Sequence, residues 1–250
     1  MAKKTRERQL AKSAAKRIEE RRRGKRRRIV AAVAAGVVAA AAAIGAFVFL
    51  TRPDVVEPTC DPKAPGVVPA RVERSSPPPM EIDPTKEYTA VMNTSCGQMS
   101  FRLFAKQTPI AVNNFISLVD RSWYAGMPFH RVAKSIDIIQ NGDPLADGTG
   151  GPGYTIEDEF QTSPPLSVGA LAMANTGQPN SAGSQFFIVT GEGYKNIPGD
   201  YTVFGKIVEG LDVAKKIETV PVEKDGETPT ENIFLRRVFI EEKPAGATGE

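Results

Sequence analysis

The sequence has few of the residues from which metal centres and disulfide-rich scaffolds are built. Its 250 residues include one histidine, His130, and two cysteines, Cys60 and Cys96. Two cysteines cannot supply a zinc site made of four thiolates or a dense disulfide framework, and one histidine cannot supply a paired-imidazole site. An apolar fraction of 41% with 24% charged residues is ordinary for a folded protein, so disorder of the whole chain is also excluded.

The positive charge is concentrated at the N-terminus. Residues 1–28 contain 14 Lys and Arg against three Glu, whereas the remainder of the chain is acidic. No aromatic residue is interleaved with these charges to stack on bases, so we expect no nucleic-acid partner. Beside an apolar segment, a basic helical tail of this kind is expected to bind anionic lipid headgroups, with about 1 kcal/mol for each Lys or Arg near the surface.

Residues 29–50 form an uncharged run of Ala, Val, Ile, Phe, Gly and Leu. A helix of this length measures about 33 Å and can cross a hydrocarbon core of about 30 Å. Basic residues precede the run and only Arg52 follows it closely, so the positive-inside rule places residues 1–28 in the cytoplasm and the rest outside. The sequence therefore predicts a single-pass protein of the cell membrane. A cleaved signal peptide and a buried soluble helix are the alternatives.

Residues 51–85 contain nine of the twenty prolines. Proline favours extended polyproline II chain, so we interpret 51–85 as a Pro-rich extracytoplasmic linker that holds the next domain away from the bilayer. Cys60 in this linker and Cys96 in the domain either form a disulfide, which an oxidising compartment would permit, or remain two free thiols. Residues 243–250 are expected to form a flexible tail.

The pattern changes to short strands in the predicted domain, residues 86–242. Helices are predicted from Thr108-Pro109, with Thr108 as the N-cap, and around Leu211–Ile217. The fold class is therefore mainly β: a closed eight-stranded antiparallel barrel capped by two α-helices. The eight predicted strands are Tyr88–Asn93, Gln98–Leu103, Pro128–Val132, Ile136–Gln140, Ala170–Ala174, Gln185–Val189, Val203–Val208 and Ile233–Ile240.

Seven short motifs follow one another along this domain. They are Phe129-His130-Arg131-Val132, Gln140-Asn141-Gly142-Asp143-Pro144, Gly148–Tyr154, Asp158-Glu159, Leu171–Asn175, Gly183–Ile188 and Tyr201–Gly205. Each motif alone is weak, but the ordered set resembles the signature of the cyclophilins, here in a bacterial, membrane-anchored form. The resemblance covers roughly residues 88–241. It implies peptidyl-prolyl cis–trans isomerase (rotamase) activity and a barrel with two helices.

The chemistry of this reaction indicates which groups the site needs. Rotation about the X–Pro bond has a barrier close to 18–20 kcal/mol, but no bond is made or broken, so neither a nucleophile nor a metal nor another cofactor is required. The twisted amide carries a lone pair on the prolyl nitrogen, and a fixed cation that donates hydrogen bonds stabilises it. The resemblance assigns this catalytic role to Arg131, because a guanidinium stays protonated.

The resemblance also implies an apolar slot for the proline ring. Phe187 would form its floor, and Ile138, Ile197 and Phe204 would form its walls. Tyr201 stands where many relatives have His. Taken without the resemblance, a Phe on a strand is usually a core residue, and we interpret Phe204 as mainly structural.

Polar residues are assigned to the substrate backbone in the same way. Gln140 would orient the catalytic arginine or the substrate carbonyl, while Asn175 and Gln185 would hold the substrate backbone. Ala174 and the Gly148–Gly151 turn would border a neighbouring pocket for the residues that precede proline.

Two departures from the family pattern affect these expectations. Between Arg131 and Gln140 the sequence has one residue more than usual and lacks a Phe, so we expect a β-bulge, with Ile136 or Ile138 at the pocket, and weakened activity. The loop at 193–199 lacks a Trp that cyclosporin-sensitive relatives carry, which predicts reduced cyclosporin affinity. His130 is expected to point to the opposite face as a hydrogen-bonded structural residue.

Two functions fit these observations. The leading hypothesis is a membrane-anchored isomerase that assists the folding of proline-containing unfolded or exported polypeptides outside the cytoplasm. The alternative is a membrane-tethered, catalytically weak peptide-binding or chaperone module, which the altered segment after Arg131 favours.

Overall fold

The structure is a computed structural model that describes residues 60–61, 63 and 71–243. The predicted basic tail at 1–28, the predicted membrane segment at 29–50 and all but the first residue of the tail at 243–250 lie outside these residues. Within the described ranges, no helix combines the length and the apolar character that a membrane crossing requires.

Nine strands and two helices make up the described domain, which confirms a mainly β fold with two helices. The helices are α1 (Pro109–Asp120) and α2 (Leu211–Glu218), and a 3-10 helix covers Glu192–Asn196. The strands are β1 (Glu87–Thr94), β2 (Gly97–Leu103), β3 (Met127–Pro128), β4 (Arg131–Ala133), β5 (Ile138–Asn141), β6 (Ala170–Met173), β7 (Phe186–Val189), β8 (Val203–Glu209) and β9 (Phe234–Lys243).

All nine strands belong to one sheet with the order β3-β9-β1-β2-β8-β6-β7-β5-β4. The two edge strands, β3 and β4, follow one another in the chain, so Phe129 and His130 connect the two edges and the antiparallel sheet is strongly curled into a half-barrel. The predicted closed eight-stranded barrel is wrong in strand number and in closure. The predicted strand 128–132 is divided because β3 pairs with β9 whereas β4 pairs with β5.

Alternation along the strands separates two hydrophobic clusters on opposite faces of the sheet. Phe186 lies in the main core, together with Phe204, whose ring centroid is 5.2 Å from that of Phe115. Phe187, the next residue of β7, points the other way into a second cluster. The buried members of this second cluster are Ala133, Ile138, Ala170, Ala172, Phe187, Val189 and Val203.

Residues 71–85, which the sequence assigns to the linker, lie against the domain. The guanidinium of Arg71 donates hydrogen bonds of 3.0 and 2.9 Å to two backbone carbonyls just after α1. The side chain of Asn113 in α1 donates to the carbonyl oxygen of Pro79 at 2.9 Å and accepts the N–H of Glu81 at 2.9 Å. This part of the linker is therefore bound to the fold and is not a free spacer.

Cys60 and Cys96, 36 positions apart, form a disulfide. Next to it, the backbone N–H of Asp61 donates to the carbonyl oxygen of Ser95 at 2.8 Å, and the Asp61 carboxylate accepts a hydrogen bond from Arg236 at 2.6 Å. Of the two alternatives that the sequence leaves open, the structure has the disulfide. It joins the beginning of the described chain to the turn between β1 and β2.

Candidate active site

Four neighbouring strands form a row on the face of the second cluster that includes three of the predicted site residues. Arg131 in β4 pairs with Gln140 in β5, Gln140 pairs with Phe187 in β7, and Phe187 pairs with Ala172 in β6. Directly paired residues point to the same face of a sheet. Because neighbouring strands lie about 4.8 Å apart, roughly 10 Å separates the backbone of Arg131 from that of Phe187. The row therefore places the guanidinium of Arg131 near the apolar surface at Phe187, with the side-chain amide of Gln140 between them.

The apolar part of the site is built around Phe187, which is 2% exposed. Its ring centroid lies 5.1 Å from that of Tyr201, in a T-shaped arrangement. Ile138 belongs to the same cluster, and Ile197 and Ala174 pack against it. The structure thus brings together the residues predicted for the proline slot, except Phe204, which lies in the main core on the other face.

Hydrogen bonds connect Arg131 to the glycine-rich turn through two glutamines. Nη1 of Arg131 donates to Oε1 of Gln140 at 3.2 Å, and Nε2 of Gln140 donates to Oε1 of Gln185 at 2.9 Å. Nε2 of Gln185 in turn donates to the carbonyl oxygens of Gly148 and Gly150, both at 2.9 Å. The three side chains and the turn therefore form one connected unit.

Arg131 has a second partner, Glu227, which no sequence motif indicates. Nε of Arg131 donates to Oε2 of Glu227 at 2.7 Å, and Nη2 donates to Oε1 at 3.0 Å. The two residues are 96 positions apart, and Glu227 lies in the loop between α2 and β9, so no local pattern could have found it. A guanidinium has five N–H groups. Three are used in these contacts, and the other two have no partner among the residues that the structure describes.

The side chain of Asn175 is engaged within its own loop. Its Nδ2 donates to the carbonyl oxygen of Asp200 at 3.0 Å, and its Oδ1 accepts the backbone N–H of Gly177 at 3.0 Å. A groove of about 480 Å³ runs beside Asn175 and Ala174, with the Gly148–Gly151 turn on its other side. This groove lies where the sequence places a pocket for the residues before proline.

The additional residue between β4 and β5 lies in a turn. The two strands pair without a register shift, so the expected β-bulge is wrong. Residues 134–137 form the turn, in which Asp137 has a φ of 51° and its Oδ2 accepts the backbone N–H of Gly193 at 2.7 Å. Ile138 is buried on the site face, and Ile136 packs partly buried against the same cluster. The insertion therefore leaves the row of paired residues intact.

His130 lies between β3 and β4, so strand alternation does not set its direction. Within the part of the chain that the structure describes, neither ring nitrogen has a hydrogen-bond partner, contrary to the expected hydrogen-bonded role. Burial lowers the pKa of His130; Asp143 opposes this shift and the neighbouring Arg131 adds to it. His130 lines a cavity of about 250 Å³ together with Arg131 and Glu227. The burial that lowers this pKa favours the uncharged form of the imidazole beside the guanidinium.

A curled antiparallel sheet that carries a held guanidinium and an aromatic floor in one row is the arrangement expected of a prolyl isomerase, which needs a cation beside an apolar slot for proline. The family described as cyclophilin type peptidyl-prolyl cis-trans isomerase/CLD matches residues 89–239. The chain belongs to this family and has its isomerase activity.

Proteins of similar sequence or structure agree with this assignment. The chain is 37% identical over 157 residues to peptidyl-prolyl cis-trans isomerase-like 3 of Gallus gallus, covering 61% of this chain and 96% of that protein. It is 41% identical over 129 residues to peptidyl-prolyl cis-trans isomerase B of Bacillus subtilis (strain 168), covering 51% and 88%. A crystal structure of a Cryptosporidium parvum cyclophilin type isomerase superposes with a TM-score of 0.56 at 33% identity, covering 63% of this chain and 99% of that one.

Proposed function

We propose that this isomerase assists the folding of proline-containing unfolded or exported polypeptides outside the cytoplasm, with Arg131 as its catalytic residue. Cyclophilins bind proline-containing peptides in general. The observation that carries the assignment of Arg131 is the row of paired residues, in which Arg131, Gln140 and Phe187 share one face of the sheet. A proline ring on Phe187 has its amide on the side of the guanidinium.

In the proposed reaction, the proline ring packs on Phe187, with Ile138 and Tyr201 beside it. Twisting the X–Pro amide removes its resonance and leaves a lone pair on the prolyl nitrogen. A free N–H group of Arg131 donates to the twisted amide. Because the planar amide offers a much poorer acceptor at that nitrogen, the interaction is stronger in the transition state than in either isomer, which is the condition for catalysis.

The residues before proline are proposed to lie in the groove beside Ala174 and the Gly148–Gly151 turn. Gln185 and Asn175 support the two walls of this groove through their hydrogen bonds to backbone carbonyls. We therefore assign these two side chains to shaping the groove that binds the substrate backbone, and Gln140 to orienting the guanidinium.

The catalytically weak peptide-binding module is the second candidate. It is favoured because three of the five N–H groups of Arg131 already have partners and because Phe187 is almost fully buried. Exchange spectroscopy of a short X-Pro peptide separates the two functions when binding is measured on the same sample. We expect the purified chain to accelerate cis–trans exchange well above background. Binding without acceleration would favour the module.

We also propose that the protein is anchored in the cell membrane by residues 29–50, as in the bacterial forms that the sequence resembles, with residues 1–28 at anionic lipid on the cytoplasmic side. The disulfide between Cys60 and Cys96 supports an extracytoplasmic domain, because disulfides persist in oxidising compartments. Protease added to intact cells is expected to reach the domain and to leave an epitope at the N-terminus intact. Loss of the N-terminal epitope with protection of the domain would reverse this topology.

A further inference from the structure

We infer that Glu227 is a positioning residue that holds the guanidinium of Arg131 in the orientation required for isomerisation. This inference rests on the proposed function of Arg131. It is carried by the two hydrogen bonds from Nε and Nη2 of Arg131 to the Glu227 carboxylate, at 2.7 and 3.0 Å. With the bond from Nη1 to Gln140, the guanidinium is held at two of its edges, which fixes both its plane and its direction.

Glu227 is itself held by a hairpin formed by residues 221–230. Val222 and Pro229 form an antiparallel bridge across this hairpin. Oδ1 of Asp225 accepts the backbone N–H groups of Glu227 and Thr228, both at 2.9 Å. The carbonyl oxygen of Glu227 accepts the backbone N–H of the residue after Arg131 at 2.7 Å. The hairpin is therefore fastened to β4 next to the arginine, and its position does not depend on the ion pair alone.

Two opposing effects decide what Glu227 does to catalysis. Its carboxylate reduces the positive potential that the prolyl nitrogen experiences, which would slow the reaction. It also orders a long, flexible side chain before the substrate binds, which would accelerate it. The side chains of Arg131 and Glu227 are 34% and 42% exposed, so nearby water weakens the effect of the carboxylate on the electrostatic potential at the prolyl nitrogen. The hydrogen bonds from Arg131 to Glu227 act at contact distance and set the direction of the remaining N–H groups. Positioning of the guanidinium is therefore the larger effect.

The test compares Glu227→Gln and Glu227→Ala with the unmodified full chain, purified in mild detergent, in cis–trans exchange of an X-Pro peptide. We expect kcat to fall about ten- to hundredfold with little change in KM, because a misdirected donor affects the twisted state more than binding. Glu223→Gln removes the same charge from an exposed position of the same hairpin and is expected to retain full activity. Glu227→Asp keeps the carboxylate and is expected to retain more activity than Glu227→Gln.

A spectroscopic measurement separates positioning from a structural defect. The Nε–H resonance of Arg131 is expected to be protected from solvent exchange in the unmodified chain and to lose this protection in Glu227→Gln, while the thermal unfolding midpoint stays close to its original value. Unchanged or increased kcat in Glu227→Gln would overturn the inference, as would a loss of kcat equal to that in Glu223→Gln. If Arg131→Ala abolishes activity while Glu227→Gln does not, only the role of Glu227 is refuted. If the unmodified chain is inactive, the proposed function is refuted with it.

Discussion

The carboxylate of Glu159 lies at the N-terminus of α1, where its Oε2 accepts the backbone N–H of Ala111 at 2.9 Å and its Oε1 that of Ile110 at 3.0 Å. Thr108 occupies the N-cap position that the sequence predicts, but its hydroxyl donates to the carbonyl oxygen of Phe104 and makes no capping bond. A carboxylate from a distant loop therefore satisfies the free N–H groups of this helix, where negative charge is favourable.

Replacing this carboxylate is expected to destabilise the domain. Glu159→Ala leaves two N–H groups of α1 without their acceptor and should lower the free energy of unfolding by about 1–2 kcal/mol. Glu159→Gln retains one acceptor and should cost less. Urea denaturation measures both, with the exposed Glu157→Ala as the control, for which we expect a change within about 0.5 kcal/mol. Equal stability of Glu159→Ala and the unmodified chain would refute this role.

The disulfide between Cys60 and Cys96 is expected to contribute substantially to stability. The two cysteines are 36 positions apart, so the disulfide closes a long loop and restricts the unfolded chain. Its removal, by reductant or by the double substitution Cys60→Ser, Cys96→Ser, should lower the free energy of unfolding by about 2–4 kcal/mol. The double variant serves as the control, since its denaturation midpoint should not respond to reductant. Free thiols in the denatured, unreduced chain would contradict the pairing.

The pKa of His130 can be measured without assignment ambiguity, because the chain has one histidine. Burial lowers this pKa below the ordinary value of 6.5, so the unfolded chain binds the proton more readily than the folded one. The contribution of His130 to stability is therefore complete above pH 6.5 and is lost progressively as the pH falls from 6.5 to the folded pKa. An NMR titration of the imidazole should give a midpoint below 6.5. A midpoint above that ordinary value would contradict the burial of this ring.

The strands can be predicted because each carries its own alternation of apolar residues, and most of them are observed within a few residues of their predicted ends. The division of Pro128–Val132 into β3 and β4 cannot be predicted in this way, because β3 pairs with β9, a strand about a hundred residues away in the sequence. The closure of the sheet is mispredicted for the same reason, since strand order is a property of distant pairs. The contacts between residues 71–85 and the domain could not be predicted from the sequence. Prolines indicate an extended chain, but they do not indicate whether that chain is free or packed against the domain.

Some residues of the site can likewise be predicted from the sequence, and others cannot. Arg131, Gln140 and Phe187 lie in recognisable motifs, and their predicted proximity follows once the strands are paired in register. Glu227 lies in an ordinary turn sequence, Asp-Gly-Glu, which predicts a turn and nothing about its partner. The insertion after Arg131 is predicted as a bulge, and wrongly so, because sequence does not show whether an extra residue enters a strand or a turn.

The role of Arg131 is tested most directly by measuring cis–trans exchange and peptide binding together for Arg131→Ala. We expect the exchange rate constant to fall about 10²–10³-fold, as for loss of one transition-state donor, while the dissociation constant of the peptide changes much less. Arg131→Lys keeps the charge but has one nitrogen in place of three, so it cannot reproduce the paired hydrogen bonds to Glu227 together with the bond to Gln140, and its rate should be intermediate. An Arg131→Ala variant that exchanges the peptide at the rate of the unmodified chain would contradict the proposed catalytic role.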